Sequence, residues 1–288
     1  MKIWLDGKMV ERSDARVGVY DHGLLYGDGV FEGIRAYSGR IFQVQAHIER
    51  LFRSARLIRL AISYTRQELI GAMRDCMKVN ALSDCYIRLV VTRGEGGLGL
   101  NPFKCAVPCV FCIADQIELY PKAMYDEGMP VIIAKTIRTS ARMLNPSIKS
   151  LNYLNNIVAK IECVDAGVSE AVMLNERGVV AEATGDNVFI VSKGTVVTPP
   201  EDAGILVGIT RGVVIRLALK LGIALQERDI TPQELCTADE VFMTGTAAEV
   251  VGVVKVDGRI IGDGNVGPVT RRLTDAFHEF VRSPEAEG

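Results

Sequence analysis

Short apolar runs bounded by turn residues constrain the fold of this chain more than any other feature of its sequence. In the second half of the chain these runs have the lengths of strands and predict strands at 130–136, 171–175, 179–183, 187–191 and 195–198. Apolar residues that recur at helical spacing predict helices at about 152–166, 211–221, 232–236 and 268–282. This mixture of strands and helices predicts a protein of the mixed α and β (α+β) class.

The first half of the chain carries its own strands and helices. A hairpin is predicted at "IWLDGKMV", which turns on Asp6-Gly7, and further strands are predicted at "GVFEGIRAY", "CYIRLVVT" and "CAVPCVFCIA". Apolar residues at helical spacing predict a helix at about 45–61. A capping box formed by Thr65 and Glu68 predicts the start of a second helix.

The length of the chain predicts more than one domain, because 288 residues exceed what a single hydrophobic core usually serves. The stretch "IELYPKAMYDEG" has neither helical nor strand periodicity and contains Pro121, so it predicts a linker. We therefore expect a small N-terminal α/β domain at 1–117, a linker at 118–128 and a large C-terminal domain at 129–288 that carries Lys149.

Composition excludes several classes of partner. The net charge of −2 gives no long-range attraction to nucleic acid or to an anionic membrane, and no apolar run is long enough to cross a bilayer. An odd number of cysteines, seven, favours reduced thiols and a cytoplasmic location. Cys109 and Cys112 form a C-x-x-C pattern, but strand alternation sends them to opposite faces. Because the three histidines are also scattered along the chain, we expect no metal site.

The glycine-rich stretch "GEGGLG", residues 94–99, matches the G-x-G-x-x-G pattern of dinucleotide-binding proteins. That function requires a helix that opens at the third glycine and points its N-terminus at the pyrophosphate. Here Asn101 and Pro102 follow, and then another predicted strand. The stretch is therefore interpreted as a mobile loop of the kind that often covers binding sites.

Lys149 is the most unusual charged residue of the chain. It precedes a predicted helix in "NPSIKSLNYLNNIVAK", and no acidic residue lies between Asn145 and Ala159 to pair with it. The positive end of a helix dipole and desolvation both disfavour an ammonium group, whereas attack on an aldehyde needs a neutral amine. An ordinary amphipathic setting, such as that of Lys160, would not have these features.

Two turns in the second half could hold an anion. In "LVGITRGVV", Gly208 permits close backbone approach and Thr210 opens a predicted helix whose first amides could bind phosphate. The stretch "FMTGTAAEV" offers a second turn at 244–246. Either turn alone is also explained by ordinary helix capping. Together with a lysine that lacks a nearby acid, they suggest a phosphate-bearing cofactor that forms a Schiff base, of which pyridoxal phosphate is the common example.

Such a cofactor needs a carboxylate against its pyridine nitrogen, so that the protonated ring can accept an electron pair. Glu182 in "GVVAEATGDNVFIV" is the candidate, because it ends an apolar strand just before a turn. A glutamate in such a place usually has a partner when it is buried. Without the other features, it could equally be an edge-strand residue that faces water.

At this point the sequence resembles a known family, the class IV aminotransferases with fold-type IV. The resemblance rests on Glu182-x-Thr184-x-x-Asn187-Val188-Phe189, on Val196-x-Thr198 and on Leu206-x-Gly208-Ile209-x-Arg211. The segments "YGDGVFEGIRAY", "HIERL", "YIRLVVTRGEGGLGLNP", "IKSLNYLNN" and "ADEVFMTGTAAEV" extend it over nearly the whole chain. The chain departs from the family where Val207 stands at a position at which proline is frequent.

The resemblance implies a two-domain architecture like that of D-amino acid aminotransferase, with pyridoxal 5'-phosphate as cofactor. Lys149 would bond the cofactor, Tyr153 would contact its phenolic oxygen and Glu182 its ring nitrogen, and the phosphate would be bound by Arg50, Ile209, Thr210 and Thr246. Periodicity alone places Arg50 on the solvated side of its helix, and a helical Tyr153 would ordinarily pack in a core.

The resemblance also implies the substrate-binding residues, which are Tyr26, Phe31, Gly33, Arg35, Tyr86, Arg88, Thr246 and Ala247. Strand alternation independently places Phe31, Gly33 and Arg35 on one face, although two half-buried strands with outward charges would show the same pattern. In the family the loop "GLGLNP" comes from a neighbouring subunit, so a homodimer or larger homo-oligomer is implied.

Within the family the chain is most similar to branched-chain amino acid aminotransferases. These would convert leucine, isoleucine and valine, with 2-oxoglutarate, to branched-chain 2-oxo acids and glutamate. A D-amino acid aminotransferase or an aminodeoxychorismate lyase would share the fold and cofactor, and "YIRLVVTRG" and "FEGIR" favour the L-specific enzyme. A phosphate-binding module without catalysis is the alternative from a different class, and it would require Lys149 to be incidental.

Overall fold

The computed structural model describes residues 1–288 and divides them into two compact units. The first unit contains Met1–Ile117, Ile148–Tyr153 and Val281–Gly288, and the second contains Glu118–Ser147 and Leu154–Phe280. Lys149, which we expected in the C-terminal domain, therefore groups with the first unit. The expected linker groups with the second unit, and part of it forms the helix Lys122–Glu127.

The first unit is a single sheet with helices. Its strands are β1 Lys2–Leu5, β2 Lys8–Glu11, β3 Gly29–Tyr37, β4 Arg40–Ile41, β5 Cys85–Thr92 and β6 Val110–Asp115. Its helices are α1 His22–Tyr26, α2 Val44–Leu57 and α3 Arg66–Val79, with a 3-10 turn at Pro102–Lys104. The six strands pair antiparallel throughout, in the order β2-β1-β6-β5-β3-β4.

Helices α2 and α3 contribute to the core of the first unit. Ile48 and Leu51 of α2 and Leu69 and Met73 of α3 lie in one buried cluster with strand residues such as Ile34. These helical residues recur at three- or four-residue spacing, which is why each helix buries one face. The capping box before α3 is confirmed: the Thr65 hydroxyl accepts a bond from the Glu68 amide, and the Glu68 carboxylate accepts one from the Thr65 amide.

A short segment from later in the chain lies alongside β3. Ser150 pairs antiparallel with Val30, the Phe31 amide donates to the Lys149 carbonyl at 3.0 Å, and the Leu151 amide donates to the Gly29 carbonyl at 2.9 Å. These bonds extend the sheet locally and fix the backbone on both sides of Lys149.

The second unit contains a larger, mixed sheet. Its strands are β7 Met129–Ile133, β8 Glu170–Leu174, β9 Val180–Ala183, β10 Asn187–Ser192, β11 Thr195–Thr198, β12 Leu225–Glu227, β13 Glu240–Gly245, β14 Glu249–Val256 and β15 Arg259–Ile260. Its helices are α4 Lys122–Glu127, α5 Leu154–Asp165, α6 Ile209–Lys220, α7 Pro232–Cys236 and α8 Pro268–Arg282.

The sheet of the second unit runs in the order β12-β11-β10-β13-β14-β7-β8-β9, with β15 paired to β14. Strands β7 and β8, β7 and β14, and β11 and β12 pair in parallel, while the remaining pairs are antiparallel. The hairpins predicted from turn residues are present as β8–β9 and β10–β11. The α+β class predicted from the sequence is therefore confirmed.

Two local predictions need correction or comment. The strand expected over "CAVPCVFCIA" begins only at Val110, since Pro108 has no amide to donate to a ladder. After "GEGGLG" the chain forms only the short turn Pro102–Lys104, so the long helix that a dinucleotide site requires is not there. None of the helices has both the length and the apolar character needed to cross a bilayer.

Candidate active site

The side chain of Lys149 lies among aromatic rings of the first unit. Its Nζ is 3.1 Å from the Tyr153 hydroxyl oxygen and 4.6 Å from the centre of the Phe31 ring. The rings of Phe31 and Tyr153 themselves meet edge to face, with centroids 5.2 Å apart. The amine thus contacts a phenol and two apolar rings, as the absence of nearby acids in the sequence suggested.

The backbone at Lys149 is held from two sides. Its amide donates to the Ser54 hydroxyl of α2 at 3.2 Å, and its carbonyl accepts from Phe31 of β3. Because both partners belong to regular elements, the position of the amine is set by the scaffold and not by a free loop.

Aromatic and cationic side chains share one face of β3 and β5 near this lysine. The Arg88 guanidinium lies 4.7 Å from the centre of the Phe31 ring and donates to the Tyr86 hydroxyl at 3.1 Å. A Cβ at Gly33 would lie 1.9 Å from the Tyr86 hydroxyl oxygen, so only glycine leaves the Tyr86 ring in place. The common face that strand alternation predicted for these residues is present.

Two further expected substrate residues are engaged with neighbours. The Arg35 guanidinium lies 5.3 Å from the centre of the Tyr37 ring. Tyr26 donates to the backbone carbonyl of Leu98, and His22 bonds the carbonyl of Gly97 at 2.7 Å. Tyr26 is therefore tied to the glycine-rich loop that the sequence identified as a possible cover.

Arg50 is buried, with 5% of its surface exposed, so the solvated position that periodicity alone gave it is wrong. The reason lies on β3, where the carboxylate of Glu32 accepts bonds from Arg50 Nε at 2.8 Å and Arg50 Nη2 at 2.7 Å. His47 Nδ1 lies 2.7 Å from the same carboxylate. A charged residue at a helix position near the core needs such a partner, and Glu32 supplies it.

In the second unit, Glu182 is buried near the end of β9 and held by donors from three residues. Arg138 Nε donates to Oε1 at 2.8 Å, and Oε2 accepts from the Leu206 amide at 2.9 Å and from Asn187 Nδ2 at 3.3 Å. The exposed edge-strand position is thus excluded for Glu182. Donors to the charged form of a carboxylate favour that form, which is the form that can accept a proton-bearing ring nitrogen.

Arg138 is a residue of the site that sequence reasoning missed. Its Nη1 donates to the side-chain oxygens of Asn155 at 3.2 Å and Asn156 at 3.1 Å, both on α5. Asn156 in turn donates to the Thr184 carbonyl at 2.8 Å. No local pattern marks Arg138 in the sequence, since its partners lie 17 to 44 positions away.

The N-terminus of α6 has the features of an anion site. Gly208 caps the helix without a side-chain hydrogen bond, so the first amides of α6, including those of Ile209 and Thr210, point outward. The Thr210 hydroxyl oxygen is buried and has no hydrogen-bond partner. A Cβ at Gly208 would lie 2.0 Å from the Asn187 side-chain oxygen, so this close approach needs glycine.

The second predicted turn follows β13. The Thr244 hydroxyl oxygen is buried without a partner, and Thr246 and Ala247 lie half-buried in the turn between β13 and β14. A Cβ at Gly245 would lie 1.8 Å from the Asp186 carboxylate. Partnerless buried hydroxyls and outward amides are donors that suit a phosphate, and together with Arg50, Lys149 and Glu182 they fit the chemical groups of pyridoxal phosphate.

Known proteins match the chain over most of its length. Residues 29–256 match the family model for amino-transferase class IV. A protein of Methanocaldococcus jannaschii is 50% identical over 280 residues, which cover 97% of this chain and 96% of that protein. The branched-chain-amino-acid aminotransferase of Pseudomonas aeruginosa is 39% identical over 284 residues, which cover 97% of this chain and 92% of that enzyme.

Solved structures agree with these matches. The branched-chain amino acid aminotransferase of Escherichia coli superposes with a TM-score of 0.95 at 36% identity, covering 99% of this chain and 96% of that one. The branched-chain amino acid aminotransferase of Thermobaculum terrenum, in its PLP-form, gives a TM-score of 0.91 at 32% identity, covering 99% of this chain and 96% of that one.

Proposed function

Because the chain belongs to the class IV aminotransferases, we propose that it transfers amino groups from branched-chain L-amino acids to 2-oxoglutarate. The products would be branched-chain 2-oxo acids and L-glutamate. The observation that carries this proposal is the amine of Lys149, held at 3.1 Å from the Tyr153 hydroxyl beside the Phe31 ring. Relatives and solved neighbours named as branched-chain amino acid aminotransferases support it.

We propose pyridoxal 5'-phosphate as the cofactor, with Lys149 as its covalent attachment and catalytic residue. When bound, this cofactor supplies an aldehyde that exchanges amino groups and a protonated ring that stores an electron pair. The partnerless hydroxyl of Thr210 and the outward amides of Ile209 and Thr210 support phosphate binding in the second unit. We assign Arg50 and Thr246 to the same phosphate.

The residues of the chain then have separate tasks. Lys149 Nζ takes the proton from the substrate Cα and delivers it to the cofactor, and Tyr153 orients that amine through the bond at 3.1 Å. Glu182 holds the proton of the ring nitrogen in place. The donors from Arg138, Asn187 and Leu206 keep its carboxylate ionised and oriented for this task.

The first unit supplies a surface suited to an apolar side chain and a carboxylate. We assign Phe31, Gly33, Tyr26 and Tyr86 to the substrate side chain, because their rings and the space at Gly33 favour a branched aliphatic group. A second group of four residues is assigned to the substrate carboxylate and its surroundings: Arg35, Arg88, Thr246 and Ala247. Guanidinium groups and a turn amide are suited to a carboxylate.

A homodimer is also proposed. The loop after Gly97 exposes Leu98, Leu100 and Phe103 at 70%, 78% and 62% of their surfaces, which is unusual for three apolar residues so close in sequence. A second copy of the chain would cover them. Light scattering should then give the mass of a dimer or a larger oligomer, and a Leu98→Ser/Leu100→Ser variant should have a lower mass. A monomeric wild-type protein would contradict this proposal.

The central test is Lys149→Ala, with Lys220→Ala, on the exposed end of α6, as the matched control. The purified wild type and the control should be yellow, and the Lys149 variant should lack the absorption band and single-turnover transamination. The wild-type enzyme should then be mixed with individual L- and D-amino acids. Bleaching by L-leucine, L-isoleucine and L-valine supports the proposal, and bleaching by D-amino acids alone would replace it with the D-specific activity.

A further inference from the structure

Glu32 is a fully buried carboxylate in the middle of β3, and its exposed surface is 0%. It accepts three hydrogen bonds of 2.7 to 2.8 Å, two from Arg50 and one from His47. A carboxylate removed from water is costly unless its lone pairs are satisfied in this way. The arrangement therefore specifies the orientation of its partners and is not an accident of packing.

The charges of this cluster are well defined. Burial raises the pKa of Glu32, but the Arg50 guanidinium and then His47 outweigh that effect and hold it at about 2. Burial lowers the pKa of His47, against the opposing effect of Glu32, so the ring is neutral at pH 7. An ionised carboxylate can only accept, which places the histidine proton on Nδ1.

One face of α2 carries the cluster and also reaches the lysine. His47, Arg50 and Ser54 follow one another at helical spacing and are all buried. Ser54 accepts the Lys149 amide, while on β3 the neighbour of Glu32, Phe31, donates to the Lys149 carbonyl. The same strand and the same helix thus hold both the lysine backbone and the arginine.

We propose that Glu32 is a positioning residue that fixes the Arg50 guanidinium for the phosphate of the cofactor, an inference that rests on the proposed function. Glu32 cannot contact the phosphate itself, because both are anions. Its two bonds to Arg50 instead prevent the long side chain from adopting other rotamers, so that less conformational freedom is lost when phosphate binds. The opposite effect, charge neutralisation of Arg50 by Glu32, would weaken phosphate binding.

The two effects are separated by Glu32→Gln, which keeps the shape and removes the charge. Its amide group must present a donor to Arg50 or to His47, so at least one of the three bonds is lost. Glu32→Asp keeps the charge but withdraws it by one methylene, and it should behave intermediately. Glu240→Gln is the matched control, because Glu240 is also buried with bonds of 2.7 to 3.0 Å from Val269 and Thr270 in the second unit.

The measurement is the ratio of the dissociation constants for pyridoxal and pyridoxal 5'-phosphate, obtained by absorbance titration of the cofactor-free full chain. This ratio isolates the contribution of the phosphate. It should fall by about tenfold or more in Glu32→Gln, and less in Glu32→Asp, as expected for loss of a charge-assisted hydrogen bond. It should not change in Glu240→Gln. In Arg50→Gln the ratio should already be low, and adding Glu32→Gln should lower it no further.

An unchanged or increased ratio in Glu32→Gln overturns the inference, since it would mean that charge neutralisation dominates. An equal loss of affinity for both ligands overturns it as well, because it indicates general disruption. If Glu32→Gln does not fold, the ratio for Glu32→Asp decides in the same way. A wild-type protein that does not prefer the phosphorylated ligand would instead refute the proposed function.

Discussion

Replacing Arg138 by methionine should strongly destabilise the cofactor-free protein, because it leaves Glu182 buried without the Arg138 guanidinium. The side chains of Arg138 and Glu182 are only 9% and 7% exposed, and their atoms lie 2.8 Å apart. Methionine fills similar volume but provides no donor. The Leu206 amide and the Asn187 side chain continue to donate to Glu182.

The expected magnitude follows from the geometry. Breaking a buried ion pair by removing one partner costs about 3–5 kcal/mol, since the surviving charge stays out of water. The bonds from Leu206 and Asn187 remain, which argues for the lower end, while the lost donors to Asn155 and Asn156 argue against a still smaller value. We therefore expect a loss of about 3 kcal/mol in the free energy of unfolding.

The assay is urea unfolding of the cofactor-free protein, followed by circular dichroism. Arg138→Met/Glu182→Gln removes the stranded charge and should recover about 2 kcal/mol of the loss, because a neutral amide costs much less to bury. Arg177→Met is the control, since its bond to Asp229 joins two side chains that are each 45% exposed and should be worth under about 1 kcal/mol. If the double variant is as unstable as Arg138→Met, the stranded carboxylate is not the cause.

Three other predictions follow from particular side chains. Gly33→Ala should lower kcat/KM for leucine by at least about tenfold with an unchanged cofactor absorbance band, because the new Cβ would lie 1.9 Å from the Tyr86 hydroxyl oxygen. Thr210→Val should raise the free energy of unfolding by about 1 kcal/mol while it weakens binding of pyridoxal 5'-phosphate, since it removes a buried hydroxyl that has no partner. The pKa of Glu32 is held at about 2, below its ordinary value of 4.5, so its stabilising effect is complete above pH 4.5 and is lost toward pH 2. Acid unfolding should therefore be less steep in Glu32→Gln than in the wild type over that range, and equal slopes would contradict the assignment.

Elements of regular structure could be predicted from the sequence where local chemistry decides them. The strand "GVFEGIRAY" is β3 without any shift, and Thr65 and Glu68 mark the start of α3 because capping depends only on residues three positions apart. The strand at "CAVPCVFCIA" begins later than its apolar character predicts, since the missing amide of Pro108 outweighs that character.

The position of the Lys149 segment could not be predicted in the same way. The lysine itself was identified by its lack of acidic neighbours, but its grouping with the first unit depends on backbone bonds to Gly29 and Phe31, more than a hundred positions earlier. No period within "IKSLNYLNN" encodes a partner strand. The aromatic contacts of the amine follow from the same long-range pairing.

Buried charge explains the two largest gaps in the sequence-based description. Periodicity placed Arg50 in solvent because it counts a charged residue as polar, and it gave Arg138 no role because no motif contains it. Each arginine instead pairs with a glutamate from a distant strand, Glu32 or Glu182, at 2.7 to 2.8 Å. Such pairs contribute little net stability compared with an apolar replacement, so a chain that keeps two of them requires another reason. In the proposed enzyme the reason differs between the units: the first pair presents its cation to the cofactor, and the second presents its anion.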